Sequence, residues 1–459
     1  MSECLYGLKI LRPNYNTVRP KEMTRRLFIN ASWLLGGKTA SSVFSAVQTV
    51  VVARMLGVSE YGLLALIIAY VDILNQLFDF RVWETATKYI GTFWTSGEKE
   101  KTRSMIKLSY IVDISSGIVA FLIAIATAGI ASRYLISSPQ AQMLICIYAL
   151  SLLIDTANST SDAILRVFDR FKTIAFIASL NNLIRLIMVS TALYLGMGIK
   201  GVLLSYIAAS FVGFTLRLFA VAKTLKDSGI ERWWNARLGL IRQHWRGIAW
   251  FLGNTSLTGT LKMANDNYLG TLVLGYFAGK EAVAYYKVAK SVVKLINRIT
   301  DPIYEAIYPE LVKLFSLGAI EDIKRLLKES TKNLGKIIVP IAAFIFILSY
   351  HILYFVFGAK YTPSSIALKL ITIATLISLL TFWINPAFLA IEKVGLRNVI
   401  AIGSTLTYIL LLLPLAIKYS YIGAAIAFLG YNLTNSLLSL FIIRRSFRRN
   451  PKRVKLKLS

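Results

Sequence analysis

Apolar runs of about twenty residues, separated by short connections rich in lysine and arginine, follow one another along almost the whole 459-residue chain. Such a run crosses a bilayer as a helix, because hydrocarbon offers its backbone no hydrogen-bond partners and every N–H and C=O must pair within the segment. A hydrophobic content of 56% and a mean hydropathy of +0.60 set aside soluble folds. Twelve stretches can span, centred near residues 42, 71, 117, 152, 184, 211, 261, 295, 346, 377, 407 and 432. The second, seventh and eighth are amphipathic. They are retained because their polar residues fall on one helical face. The expectation is an all-α, polytopic membrane protein with 12 transmembrane helices.

Orientation follows from the basic residues, since positively charged connections stay on the cytoplasmic side. The N-terminal arm, the five even-numbered connections and the tail after Ile443 hold most of the lysine and arginine. The six odd-numbered connections hold Arg54, Arg133, Lys200, Lys280, Lys360 and Lys418. Both termini are therefore predicted inside, in a cytoplasmic (inner) membrane. The net charge of +29 is then a topology signal and an attraction to anionic headgroups, and nucleic acid is not an expected partner. The first 28 residues lack the apolar core of a signal peptide, and Met23 could serve as a start. Cys4 and Cys146, predicted cytoplasmic and intramembrane, make no disulfide framework. The tail from Arg444 to Lys457 carries eight basic residues and no acid, and suits the inner leaflet surface.

The chain repeats itself. A shift of 222 residues aligns Val71, Leu74, Asn75, Leu77 and Asp79 with Val293, Ile296, Asn297, Ile299 and Asp301, and places Gly57 on Gly279 and Gly201 on Gly423. A slightly different shift puts Trp33-Leu34-Leu35-Gly36 on Trp250-Phe251-Leu252-Gly253. Single Leu or Gly matches arise by chance among apolar residues, but Asn and Asp recurring together at one spacing do not. Six spans per half is an even number, so both halves enter from the same side and form two parallel six-helix lobes around a central cleft. The expected divisions are an N-terminal arm (1–28), an N-lobe (29–222), a cytoplasmic linker (223–246), a C-lobe (247–443) and a basic tail (444–459). The linker holds Trp233, Trp234, His244 and Trp245, and reads as a helix lying in the headgroup layer.

The eighth span carries Lys287, Lys290, Lys294, Arg298, Asp301 and Glu305 at spacings of 3, 4, 4, 3 and 4. At about 100° per residue these stack on one face within an arc of roughly 80°. Intramembrane charge costs about 2.5–3.5 kcal/mol per group on insertion scales, so such a row faces a watery cavity or a partner. The first spans of the two halves have polar faces of their own, Lys38, Ser41, Ser45 and Gln48 in one, Asn254, Thr258, Lys262 and Asn265 in the other. The second span adds Asp72, Gln76 and Asp79.

Two readings of these charges stay open: pairing across the bundle, or a positive field at mid-membrane. Lys38, Lys262, Lys287, Lys290, Lys294 and Arg298 outnumber the nearby acids Asp72, Asp79, Asp266, Asp301 and Glu305, which favours the second. That field suits an anionic ligand, with lysine as a point-charge phosphate binder and arginine as a bidentate one. Asn75 and Asn297 could hydrogen-bond sugar hydroxyls. Asp72, Asp79, Asp266 and Asp301 could gate the lobes or couple an ion. Arg185, Asp113, Asp155 and Lys369 receive no role, and Arg217 and Asp162 are expected to snorkel to the interface.

Enzyme signatures are scarce. Gly36-Gly37-Lys38-Thr39 imitates the end of a phosphate-binding loop, but Ser32 stands where that loop needs glycine and no strand precedes it. Two histidines and no His/Cys cluster give metal or histidine catalysis little to work with, so no cofactor, metal or catalytic residue is expected.

The sequence Ala53-Arg54-Met55-Leu56-Gly57-Val58-Ser59-Glu60-Tyr61-Gly62, the span ending Phe78-Asp79-Phe80, and the weaker echo Gly279-Lys280-Glu281-Ala282-Val283-Ala284-Tyr285-Tyr286 resemble polysaccharide transporters of the O-antigen flippase type. Their superfamily also holds multidrug/toxin extruders and the lipid II flippase. The resemblance runs from about Leu27 to Arg445. It implies two six-helix lobes around a V-shaped cavity that alternates between inward-open and outward-open states. It also implies a cargo, an oligosaccharide on a polyprenyl phosphate or pyrophosphate, together with membrane lipids and polysaccharide-assembly enzymes as partners. Twelve spans fit the lipid II flippase branch less well, and a cationic cleft fits extruders of cationic drugs less well. The alternatives to a flippase are an ion-coupled small-molecule exporter and a non-transporting membrane scaffold for polysaccharide assembly.

Overall fold

The computed structural model describes residues 20–78, 82–253, 268–317, 319–390 and 394–449, and they are all-α, with no strand among them. In chain order they form α1 (Pro20–Phe78), α2 (Val82–Thr95), α3 (Lys99–Ile130), α4 (Gln140–Val167), α5 (Phe171–Tyr194), α6 (Gly198–Asp227) and α7 (245–253). There follow α8 (Leu269–Ser316), α9 (Ile320–Ile347), α10 (Ser349–Ile352), α11 (Ser365–Leu380), α12 (Ile384–Ala390) and α13 (Val394–Arg449). Among the described residues, eight helical stretches are long and apolar enough to cross a membrane. Two of those contain a break, at Gly57 in α1 and at Ser420 in α13, and so can each hold two spans. Helix α8 is long enough as well, but it carries the charges that its amphipathic pattern predicts. The seventh expected span, centred near 261, lies outside the described residues.

The described chain forms two compact units. One takes in residues up to Ser45, Val71–Gly129 and those from Gln142 to Met263; the other takes in Ala46–Tyr70, Ile130–Ala141 and those from Ala264 on. The second unit therefore draws two segments from the first half of the sequence.

In the first unit, α2 lays Val82, Ala86, Ile90 and Phe93, spaced 4, 4 and 3, into a core shared with Met105 and Ile106 of α3, Ile164 and Leu165 of α4, and Leu225 of α6. Without a strong hydrophobic drive between spans in lipid, close approach at small residues holds them together. Gly37 of α1 sits where a Cβ would come within 2.7 Å of the Ala175 Cβ on α5, and Ser179 Oγ donates to the Gly37 carbonyl at 3.1 Å. Gly37 is thus a helix contact in α1.

The linker differs from the helix expected of it. Residues Trp233–Asn235 and Leu238–His244 make two short 3₁₀ turns, entered through left-handed backbone at Gly229 (φ 69°) and Arg232 (φ 52°). The cause lies in α3, whose side chains take carbonyls that a helix would use itself. Lys107 Nζ donates to Ala236 O at 3.0 Å and Ser104 Oγ to Arg237 O at 2.9 Å. Trp233 stacks on Tyr110 with centroids 4.9 Å apart, and Ile230 and Ile241 are fully buried in the same core. Trp234, Trp245 and Trp250 remain exposed, as an interfacial segment requires.

In the second unit α8 packs against α9, α11 and α13, and α11 against α9 and α13. The 222-residue repeat is written into the backbone here. Gly57 breaks α1 at φ 77°, ψ 176°, and Gly279 breaks α8 at φ 82°, ψ 173°. That region is open to glycine and closed to residues with a Cβ.

Candidate functional site

Past their glycine breaks, α1 and α8 present the same stripe. From Leu63 to Leu74 every residue is buried except Ala65, Ile68 and Asp72. The positions 222 further on are Lys287, Lys290 and Lys294: the first two are half-buried and Lys294 is exposed, while Val283, Tyr286, Val288, Ala289 and Val293 are buried. One helical face is thus left incompletely covered in both halves, and the second half has filled it with cations. Lys290 holds its ammonium 4.8 Å from the Phe428 ring centroid of α13 and 5.6 Å from that of Tyr286. Aromatic faces of this kind stabilise a cation.

The structure brings Lys287, Lys290 and Lys294 together on α8. Arg298, Asn297 and Asp301 continue the same helix, but their side chains, like that of Glu305, lie outside the described set. Lys262, Asp266 and Asp79 also lie outside the described residues. Lys38 is exposed on the first part of α1, in the first unit, with Ser42 Oγ donating to its carbonyl at 2.7 Å. Gln48 of the same polar face is buried, and Asn75 and Gln76 are half-buried on α1 beyond Asp72.

Asp72 belongs to a network that sequence reasoning left without a role. Within the first unit Asp72, Asp155, Tyr206 and Arg185 all lie close enough to the Tyr148 hydroxyl to interact with it electrostatically. Asp155 accepts hydrogen bonds from Ser210 and from Asn158 Nδ2, the latter at 3.3 Å. The Arg185 guanidinium lies 5.1 Å from the Tyr206 ring centroid and donates to Asn182 Oδ1 at 3.1 Å. Next to it, Arg217 Nε donates to Asp162 Oδ1 at 3.0 Å, with side chains 13% and 29% exposed. Those two residues pair with each other instead of snorkelling, because each supplies the charge the other needs inside the bundle. Asp113, 2% exposed, accepts from the backbone N–H of Thr160 at 3.0 Å and from its hydroxyl. A signal did exist in the sequence: Tyr148, Asp155, Asn158 and Asp162 recur at helical spacing along α4, opposite Asn182 and Arg185 on α5.

The all-α fold is shared with solved membrane transporters. An inward-facing multidrug resistance transporter of the MATE family superposes with a TM-score of 0.73 at 15% identity, covering 91% of this chain and 96% of that one. The lipid II flippase MurJ in an inward closed conformation gives 0.67 at 18% identity, covering 90% and 88%. A MOP superfamily transporter from Pyrococcus furiosus, described as having a binding pocket of reverse polarity, gives 0.64 at 14%, covering 95% and 97%. By sequence, residues 51–366 match the polysaccharide biosynthesis protein family, and the chain belongs to that family. The Inner membrane protein YghQ of Escherichia coli K12 is 23% identical over 290 residues, 63% of this chain and 81% of the relative.

Proposed function

We propose that this protein is a flippase that moves a polyprenyl-phosphate- or pyrophosphate-linked oligosaccharide from the cytoplasmic to the outer leaflet of an inner membrane by alternating access. Its twelve spans form two six-helix lobes, with both termini cytoplasmic, and the isoprenoid tail stays in lipid while the headgroup crosses the cleft. The observation that carries this reading is the Lys287, Lys290 and Lys294 stripe, a cationic face left incompletely covered on a helix of a membrane fold. Arg298, Lys38 and Lys262 add to it, and together they balance phosphate charge in transit. Asn75 and Asn297 serve the sugar hydroxyls. Asp72, Asp79, Asp266 and Asp301 gate the lobes or couple an ion. Membership of the polysaccharide biosynthesis family and the fold shared with a lipid II flippase support the cargo class. A carrier must also let go, and solvent-accessible lysines bind phosphate without trapping it.

The fold shared with multidrug transporters supports a second reading, export of small molecules. Proteoliposomes holding the full chain separate the two. The flippase reading expects transbilayer movement of a labelled polyprenyl-pyrophosphate oligosaccharide well above protein-free vesicles, and no extrusion of cationic dyes. Dye extrusion without movement of the lipid-linked saccharide would overturn it.

A further inference from the structure

The motif around Arg54 and its echo around Lys280 play no part in the cationic stripe, yet the second unit packs them against one another and against residues 353–361. Arg54 Nε donates to Val356 O at 2.7 Å, and its Nη2 donates to Phe355 O. Those carbonyls belong to the π-turn Leu353–Phe357, which ends at Gly358 with φ 101°. In return, the Tyr361 hydroxyl donates to Ala53 O at 2.9 Å, its side chain only 1% exposed. The Tyr361 ring meets Tyr61 and Tyr285 edge-on, at 6.4 and 6.5 Å between centroids. Gly62 lies so close to the Lys280 carbonyl that any Cβ would overlap it.

Two properties make this junction reversible. Arg54 is exposed, its acceptors are neutral carbonyls, and a pocket of about 690 Å³ lined by Arg54, Tyr354, Lys360 and Tyr361 lets water reach them. Water can take over those hydrogen bonds, as it could not for a buried ion pair, where separation strands a charge. The junction is also flanked by left-handed glycines at 57, 279 and 358, where a chain can pivot without strain.

We propose that Arg54 and Tyr361 form a clasp that holds the outer end of the transport path shut, and that opening requires the Arg54 guanidinium to release the Phe355 and Val356 carbonyls. This rests on the alternating-access reading above, and on the charge pattern that places the connections bearing Arg54, Lys280 and Lys360 outside. Arg54 is a positioning residue: it sets the balance between closed and open states.

The test uses full-length protein in proteoliposomes with Cys4→Ser and Cys146→Ser, and with spin labels on Met55→Cys and Lys360→Cys, which both line the pocket. Dipolar broadening reads the close population and pulsed measurement the distant one. Arg54→Ala removes two charge-assisted hydrogen bonds and should raise the distant fraction about tenfold or more; Tyr361→Phe, which removes one neutral bond, should raise it by a smaller factor. Tyr361→Phe also covers the case in which Arg54→Ala fails to fold. The same close distance in wild type and in every folded variant would overturn the clasp. A shift in population with no movement of lipid-linked saccharide would uphold the clasp and sink the flippase reading.

Discussion

Replacing Gly57 or Gly279 with alanine isolates the cost of the helix breaks that define the repeat. A Cβ built on either residue meets nothing within 4 Å, so sterics with neighbours contribute nothing to the effect. What remains is the backbone. Values of φ 77°, ψ 176° and φ 82°, ψ 173° lie where a side chain collides with its own peptide groups, at about 1–3 kcal/mol per residue. Because the two conformations match within a few degrees, the two substitutions should cost the same amount, a symmetry that contact-based effects would not produce. Gly403→Ala in α13 is the control, since that residue also has no neighbour for a Cβ but has ordinary helical backbone. It should be neutral or slightly stabilising. Unfolding in mixed micelles, followed by far-UV circular dichroism, reads all three. Stability unchanged in Gly57→Ala and Gly279→Ala, or lost equally in Gly403→Ala, would refute the reasoning.

Two further outcomes follow from the first unit. Arg217→Ala leaves Asp162 unpaired inside the bundle and should destabilise by about 1–3 kcal/mol, whereas adding Asp162→Ala should recover part of the loss; additive single effects in the same unfolding assay would show that the pair is not coupled. Trp233→Ala removes the stack on Tyr110 and should speed proteolytic cleavage between residues 228 and 245 in vesicles with the basic side accessible, and an unchanged cleavage rate would mean that the hydrogen bonds from Lys107 and Ser104 suffice to hold the linker.

Much of the fold was legible because spanning helices announce themselves by apolar length, and because polar residues on an amphipathic span fall at spacings of 3 and 4. The stripe of Lys287, Lys290 and Lys294 and its register with Asp72 came from that periodicity, and Gly57 and Gly279 could be matched from a simple shift. The half-buried network around Tyr148 was not legible as a unit. Asp72, Asp155, Arg185 and Tyr206 sit on four different helices, and periodicity along one helix says nothing about which neighbour it faces. The linker was misjudged for a related reason: its Trp and Arg content signals an interface, but the 3₁₀ turns are imposed by Lys107 and Ser104 from α3, more than a hundred residues upstream. In the sequence Arg54 counted as a charge on an odd-numbered connection and as part of the family motif. Its carbonyl partners lie about three hundred residues away.

The most direct test of the central claim changes Lys287, Lys290, Lys294 and Arg298 together to Gln and measures transbilayer movement of a labelled polyprenyl-pyrophosphate oligosaccharide in proteoliposomes. Wild type and variant are first matched for folding and for insertion. The account predicts movement in wild type and its loss in the variant, because the cationic face would no longer offset the charge of the pyrophosphate in the membrane. Equal movement in both would contradict it and reduce the stripe to a structural feature of the bundle.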